Sequence, residues 1–105
     1  MVLFESPVFS RYRDVHLTDD EYLRLQLALI SQPTVGDVIP GSGGIRKLRW
    51  RGSGRGKRGG LRVIYYYIAA DAQIYLLTLY AKAEVADLTR EQIKRLRKWV
   101  EAELQ

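Results

Sequence analysis

The stretch that decides the fold is residues 61–82, LRVIYYYIAADAQIYLLTLYAK. Residues 61–68 and 74–82 are rich in β-branched and aromatic side chains, which is typical of β-strands. The link Ala70-Asp71-Ala72 between them is short, so the two strands are predicted to form an antiparallel hairpin. This hairpin is therefore predicted to be the centre of a small sheet.

A third strand is predicted on the N-terminal side of the hairpin, over residues 45–51 (IRKLRWR). Its residues alternate in character, so that Leu48 and Trp50 share one face and Lys47, Arg49 and Arg51 share the other. Residues 33–44, which precede it, contain two prolines and four glycines. This composition predicts a loop with turns.

Two capping boxes predict where the longer helices begin. Thr18 is followed three residues later by Glu21, and Thr89 is followed three residues later by Gln92. The first of these helices is predicted to end before Pro33. Its predicted apolar face consists of Leu23, Leu25, Leu27, Leu29 and Ile30. The apolar stripe of the last helix consists of Ile93, Leu96, Val100 and Leu104, and its predicted solvated face of Lys94, Arg95, Arg97 and Lys98.

The N-terminal residues are predicted to add a short edge strand at residues 2–4 and a brief helix around Phe9, Tyr12 and Val15. Together these elements predict an α+β fold: a small antiparallel sheet of three to four strands packed with an N-terminal helical segment and a C-terminal helix. The length of 105 residues predicts that residues 1–105 form a single domain.

The composition excludes several classes of protein. Absence of cysteine excludes a disulfide scaffold, a thiol nucleophile and a zinc finger. The first ten residues lack the pattern of a secretory signal, and the longest apolar run, residues 63–70, is too short to span a membrane. We therefore expect a cytoplasmic protein without a membrane partner.

Positive charge is concentrated in one segment. The net charge of the chain is +5, but residues 46–62 contain eight cations and no anion, and the remainder is slightly acidic. Such a block repels itself and is expected beside an anionic partner, either RNA or DNA or an acidic protein. The alternative interpretation is a solvated basic hairpin without a dedicated partner.

Glycines are interleaved with cations at residues 54–59, GRGKRG, which match the pattern G-x-G-x-x-G. A dinucleotide site requires a helix after this pattern, whereas a strand is predicted to follow here. Arg58 stands where a phosphate-binding Walker loop requires Ser or Thr. The loop therefore either follows a phosphate backbone through Arg55, Lys57 and Arg58, or is a hairpin tip with charges that favour solubility.

Alternation along the strands predicts a second cluster. Arg62 shares a face of its strand with Tyr66, and Tyr80 shares a face of the next strand with Lys82. If those faces coincide, one sheet surface displays the residues Arg62, Tyr80, Lys82, Lys47 and Arg49, and one of the tyrosine rings there is available for stacking with a base. His16 is the only histidine and has no second ligand nearby in sequence, so a surface or capping position is expected, and no metal site.

Three strings occur in an order that is similar to a known family: GDVIPGSGGIRK at 36–47, GRGKRGGLRVIYY at 54–66 and LLTLYAK at 76–82. They resemble the RelE/ParE superfamily of toxins, in particular its HigB-type branch, from residue 4 through the last helix. The resemblance implies a ribosome-dependent mRNA endoribonuclease that enters the ribosomal A site, without a metal or other cofactor. It also implies a cognate antitoxin, a HigA-like helix-turn-helix protein.

The resemblance implies catalytic roles for Arg62 and Lys82 and phosphate or ribosomal RNA contacts for basic positions such as Lys47. Arg62 suits stabilisation of charge on phosphorus, a lysine among like charges suits acid or base chemistry, and Tyr80 suits nucleotide orientation or proton donation. The predicted catalytic residues are Arg62, Lys82, Lys57 and Tyr80. The predicted RNA- and ribosome-binding residues are Lys47, Arg49, Arg51, Arg55 and Arg58.

The general base is left open, because the matching segments contain no histidine and Glu84 is the only carboxylate identified nearby. Two other functions are also left open by the sequence. One is a ParE-like toxin that poisons DNA gyrase by binding. The other is an inactive member of the superfamily that binds the antitoxin or regulates the operon.

Overall fold

The computed structural model describes residues 1–51 and 60–104. Across these residues the chain forms five strands and three helices, so the predicted α+β class is confirmed. In chain order the elements are β1 (Val2–Glu5), α1 (Pro7–His16), α2 (Asp19–Ser31), β2 (Asp37–Val38), β3 (Arg46–Trp50), β4 (Leu61–Ile68), β5 (Gln73–Ala81) and α3 (Arg90–Glu103). Among the helices of these two ranges, none is long and apolar enough to cross a membrane.

The strands form one mixed sheet in the order β1-β5-β4-β3-β2. Neighbours from β2 to β5 are antiparallel, as predicted, but β1 pairs with β5 in parallel. The prediction of three to four antiparallel strands was therefore wrong in strand count and in the direction of one edge. That direction is set by contacts distant in sequence: the Ser6 amide donates to the Leu76 carbonyl at 2.9 Å, and the Ser6 hydroxyl donates to the Leu77 carbonyl at 2.6 Å.

A β-bulge in β5 determines which of its side chains face each side of the sheet. Ile64 lies opposite Thr78, whereas Tyr65 lies opposite Leu76, so Leu77 has no partner in the register. The extra residue shifts the alternation by one position. As a result Leu77 and Tyr80 lie on the same side of the sheet, although they are three residues apart.

Each side of the sheet is covered by different helices. One side, called the α1/α2 face, packs against apolar residues of the first two helices, including Phe9, Leu25 and Leu29. The other, called the α3 face, packs against Val100 and the partly buried Leu96 and Trp99 of the last helix. Trp50 is partly buried on the α1/α2 face, so each of the two tryptophans packs against a core.

Both capping boxes are confirmed. The Glu21 amide donates to Thr18 Oγ1 at 3.1 Å, and the Thr18 amide donates to the Glu21 carboxylate at 2.9 Å. The amides of Thr89 and Gln92 make the reciprocal bonds at the start of α3. These bonds satisfy amide groups that the first turn of a helix otherwise leaves without partners.

The predicted apolar face of α2 was too wide. Its buried apolar residues are Tyr22, Leu25 and Leu29, spaced by three and four positions, while the other predicted members, Leu23, Leu27 and Ile30, are exposed. A helix resting on a flat sheet buries a narrow stripe, so apolar side chains beside that stripe stay in solvent.

Of the two positions expected for His16, surface or capping, the surface position was wrong. The structure buries it in the last turn of α1, with 6% of its surface exposed. The neighbouring Leu17 belongs to the α1/α2 core. A position next to the junction of two packed helices is buried by tertiary contacts that a local reading of the sequence does not contain.

Candidate RNA-binding and catalytic site

Three basic residues of the central strands, Lys47, Arg49 and Arg62, meet on the α3 face. Arg62 of β4 lies directly opposite Arg49 of β3 on one side and opposite Tyr80 of β5 on the other. Lys47 lies opposite Ile64, two residues further along the same face. Since residues opposite each other in neighbouring strands have side chains on the same side of a sheet, the faces that the sequence analysis joined do coincide.

Arg62 is a buried cation beside another cation. The residue is only 7% exposed, and it lies opposite Arg49 in the register of the sheet. Its Nη1 donates to the Leu61 carbonyl at 3.3 Å. Like charges directly across a sheet repel each other. The two guanidinium groups therefore offer an anion a place to bind between them.

Tyr80 is buried beside Arg62, with 8% of its surface exposed. Within the described part of the chain its hydroxyl has no hydrogen-bond partner. Burial raises the pKa of Tyr80, the negative charge of Asp87 raises it further, and the positive charge of Arg62 opposes them. The phenol is therefore protonated near neutral pH and has a proton to donate to a ligand.

The connection from β5 to α3, residues 82–89, returns across this site. The Lys82 amide donates to the Gly60 carbonyl at 3.1 Å, and its ammonium donates to the Ala86 carbonyl. The Glu84 and Val85 amides both donate to the Ala81 carbonyl. These bonds fold the connection back on itself and position the residue that follows Ala86.

That residue is Asp87, which the sequence analysis did not select. Its Oδ1 accepts a hydrogen bond from Lys47 Nζ at 3.2 Å. The hydrogen bond and charge of Lys47 lower the pKa of Asp87, and the charges of Lys82 and Arg62 lower it further. Asp87 lies 40 positions from Lys47, and no spacing motif joins them. The pair could have been found only by knowing the strand register and the path of the connection.

Glu84, the carboxylate that the sequence analysis named, lies on the same connection with an exposed side chain. The carboxylate that contacts the basic face is Asp87 instead. Arg51 is exposed immediately after β3 ends. The remaining predicted site residues, Arg55, Lys57 and Arg58, lie outside the described residues together with the G-x-G-x-x-G pattern.

The opposite end of the α3 face is covered by the last helix. The Arg97 guanidinium lies 5.3 Å above the ring of Tyr66, and its Nη1 donates to the Gly43 carbonyl at 3.1 Å. Gly43 has φ +76° and a Cβ there would lie 3.0 Å from Arg97, so glycine suits this close approach. Arg97 is thus not simply a solvated residue, and Tyr66 is covered rather than open to a base.

Across residues 1–51 and 60–104, no three side chains of histidine, aspartate or glutamate lie close enough to hold one metal ion.

The mixed sheet, with two helices on one face and one on the other, defines a RelE-like α+β fold. A solved structure with this fold is that of the E. coli toxin RelE, a double arginine-to-alanine mutant in the free state. The two structures superpose with a TM-score of 0.55 at 13% sequence identity, covering 81% of this chain and 86% of that chain. No family model matches the chain. Similarity at this level of identity establishes the fold, and the HigB-type branch stays a prediction.

Proposed function

We propose that this chain is the toxin of a type II toxin–antitoxin system and acts as a ribosome-dependent mRNA endoribonuclease. The observation that carries the proposal is the cross-strand alignment of Arg49, Arg62 and Tyr80, with Lys47 on the same face. It combines cations for a phosphodiester with a buried phenol that has a proton to donate. The resemblance of three sequence strings to HigB-type toxins and the fold shared with the toxin RelE support it.

The proposed reaction is attack of a ribose 2′-oxygen on the adjacent phosphorus. The P–O5′ bond breaks and the products are a 2′,3′-cyclic phosphate and a 5′-hydroxyl. Arg62 stabilises the additional negative charge on phosphorus, since its planar fork of donors matches a phosphate and stays protonated. Tyr80 donates its proton to the departing 5′-oxygen. A metal is not required by this scheme.

The remaining basic residues have different roles in this proposal. Lys47, Arg49 and Arg51 hold neighbouring phosphates of mRNA or ribosomal RNA in the A site. Lys82 is placed at the end of β5, where its ammonium holds the connection and its charge acts on the site. The same proposal assigns catalysis to Lys57 and RNA contacts to Arg55 and Arg58.

The partner that neutralises such a toxin is expected to be an antitoxin of the HigA-like helix-turn-helix type. Covering a cationic face with an acidic segment blocks RNA without any change in the toxin's fold. The cellular site of action is the ribosome, in the cytoplasm.

The test is to induce the chain alone in bacteria and to map new 5′ ends on translated mRNA by primer extension. We expect growth arrest and new ends inside codons of the reading frame, absent when translation is blocked beforehand. Growth arrest with DNA breakage and no new RNA ends would overturn the proposal in favour of a gyrase poison. Normal growth would overturn it in favour of an inactive antitoxin-binding subunit.

A further inference from the structure

The proposed reaction needs a group that accepts the 2′-hydroxyl proton, and the described cations cannot do so while charged. Arg62 stays protonated at any physiological pH. The Lys47 ammonium is bonded to Asp87, and the Lys82 ammonium is bonded to the Ala86 carbonyl. Tyr80 is a protonated phenol. The proton acceptor at this end of the α3 face must therefore be a carboxylate or one of the residues 52–59, which lie outside the described ranges.

Asp87 is the carboxylate whose position fits best. Its Oδ1 lies 3.2 Å from Lys47 Nζ. Its charge raises the pKa of Tyr80, and the charges of Lys82 and Arg62 lower the pKa of Asp87 itself. Lys47 comes from β3, Arg62 from β4 and Tyr80 from β5, and Lys82 directly follows β5. Asp87 therefore lies where the proposed functional side chains of all three central strands converge.

Two other carboxylates lie near this end of the molecule and differ from Asp87. Asp37 of β2 lies opposite Lys47, but β3 separates it from Arg62 and Tyr80. Glu84 is on the same connection as Asp87, but its charge is not one of those that shift the pKa of Tyr80. Both are exposed, as Asp87 is, so they provide matched controls.

The electrostatic surroundings of Asp87 suit a proton acceptor, and those of Tyr80 suit a proton donor. The surrounding cations keep Asp87 ionised, whereas burial keeps Tyr80 protonated. Two titratable groups whose environments push their pKa values apart, within one site, are the usual arrangement for a base and an acid acting on the same bond.

We propose that Asp87 is the general base of the endoribonuclease, accepting the 2′-hydroxyl proton as the 2′-oxygen bonds to phosphorus; the inference rests on the proposed function. When RNA binds, a phosphate replaces the carboxylate on the Lys47 ammonium, and the released carboxylate faces the ribose. Asp87 gains one proton, the P–O5′ electron pair leaves with the 5′-oxygen, and Tyr80 supplies the proton to that oxygen. Exchange with water then restores both side chains.

The experiment compares the purified wild-type chain with Asp87→Asn on ribosomes programmed with a defined mRNA. The single-turnover cleavage rate and the affinity for the programmed ribosome are measured separately. Loss of a general base lowers the rate by about 10²–10⁴-fold. Removing a negative charge beside RNA leaves the affinity unchanged or tightens it. Asp87→Glu, which keeps the carboxylate, is expected to cleave faster than Asp87→Asn, while Asp37→Asn and Glu84→Gln are expected to cleave at the wild-type rate.

Each other outcome overturns a specific part of the proposal. If Asp87→Asn cleaves as fast as the wild type, or faster with tighter binding, Asp87 is only an anion that occupies Lys47 before RNA arrives. If Asp37→Asn or Glu84→Gln loses as much rate as Asp87→Asn, the loss comes from removing any negative charge near the site, and Asp87 is not the general base. If the wild type does not cleave, or cleaves an mRNA with a 2′-deoxynucleotide at the cut site, the proposed function itself fails, and Asp87 as its base fails with it.

Discussion

Both faces of the sheet contain an apolar core, but the faces end differently. On the α1/α2 face the apolar packing extends along the strands from Ile74 and Leu76 to Leu79 and Ala81. On the α3 face the packing of Leu77 and Val100 gives way to a row of cations beside Arg62. At this end of the strands one face therefore packs apolar residues, and the other carries the cations of the candidate site.

Two buried tyrosines show the same difference at the level of single atoms. Tyr65, on the α1/α2 face, accepts from the Gly36 amide at 2.8 Å and donates to the Pro33 carbonyl at 2.7 Å. Tyr80, on the α3 face, has a buried hydroxyl with no partner among the described residues. Buried polar groups are normally paired, and an exception usually has a functional reason. An unpartnered hydroxyl within the described part of the chain fits the role of proton donor that we propose for Tyr80.

The largest effect on stability is expected on the α1/α2 face. Leu25 is fully buried, so Leu25→Ala is expected to lower the free energy of unfolding by about 2–5 kcal/mol, measured by urea denaturation. Leu27→Ala, two residues away on the exposed side of α2, is the matched control and is expected to change it by less than about 0.5 kcal/mol. Equal losses for the two variants would contradict the narrow buried stripe.

A smaller effect should separate the two tyrosines. Tyr65→Phe removes two hydrogen bonds and is expected to lower the free energy of unfolding by about 1–3 kcal/mol. Tyr80→Phe removes a hydroxyl that has no partner among residues 1–51 and 60–104, so stability is expected to stay the same or to rise by up to about 1 kcal/mol while cleavage falls. Thermal unfolding and the cleavage assay together measure this. A Tyr80→Phe variant as unstable as Tyr65→Phe would mean that the hydroxyl is bonded in the folded chain.

Replacing an arginine should change the salt dependence of RNA affinity when the arginine lies on the α3 face, but not when it lies on the other side of the molecule. Arg49→Ala is expected to reduce the slope of log affinity against log salt concentration by about 0.7 for a single-stranded RNA, because one phosphate contact is lost. Arg24 on α2 pairs with Asp20 at 3.3 Å, away from the α3 face, and Arg24→Ala is the control that should leave the slope unchanged. Fluorescence anisotropy titrations at several salt concentrations measure both. Identical slopes for the two variants would indicate that RNA does not bind on the α3 face.

The smallest effect is a pH dependence of stability. The pKa of Asp87 lies below its ordinary value of 3.8 in the folded chain, so its ionised form favours folding above that value. We expect the wild type to be slightly more stable than Asp87→Asn at about pH 6, and the difference to disappear as the pH falls towards about 2. Urea denaturation across this range measures it. A difference that grows as the pH falls would contradict the ion pair with Lys47.

Much of the fold was predictable because it is encoded locally. Alternation in residues 61–68 predicted which tyrosines face each side, and the spacing of Thr18 and Glu21 predicted the start of α2. The parallel pairing of β1 was not predictable, because it depends on hydrogen bonds to a strand some 70 residues later. The exposure of Leu27 and the burial of His16 depend likewise on how helices rest on the sheet.

The site was predictable only in part for the same reason. Strand alternation assigned Arg62 and Tyr80 each to a face of its own strand, but that the two faces coincide depends on the register between β4 and β5, which no local pattern indicated. Asp87 was missed because its approach to Lys47 depends on the path of the connection after β5. Sequence patterns find residues that share a strand face, whereas groups contributed by a connecting segment require the tertiary structure.

The central claim is that the cationic α3 face cleaves RNA, and Arg62 tests it most directly. The measurement is the cleavage rate of ribosome-bound mRNA by purified wild-type and Arg62→Ala proteins at equal concentration, with Arg95→Ala on α3 as the control. We expect Arg62→Ala to lose about 10²–10³-fold in rate while still binding its antitoxin, because the charge that develops on phosphorus is no longer stabilised. Arg95→Ala should cleave like the wild type. An Arg62→Ala protein that cleaves ribosome-bound mRNA at the wild-type rate would contradict the claim.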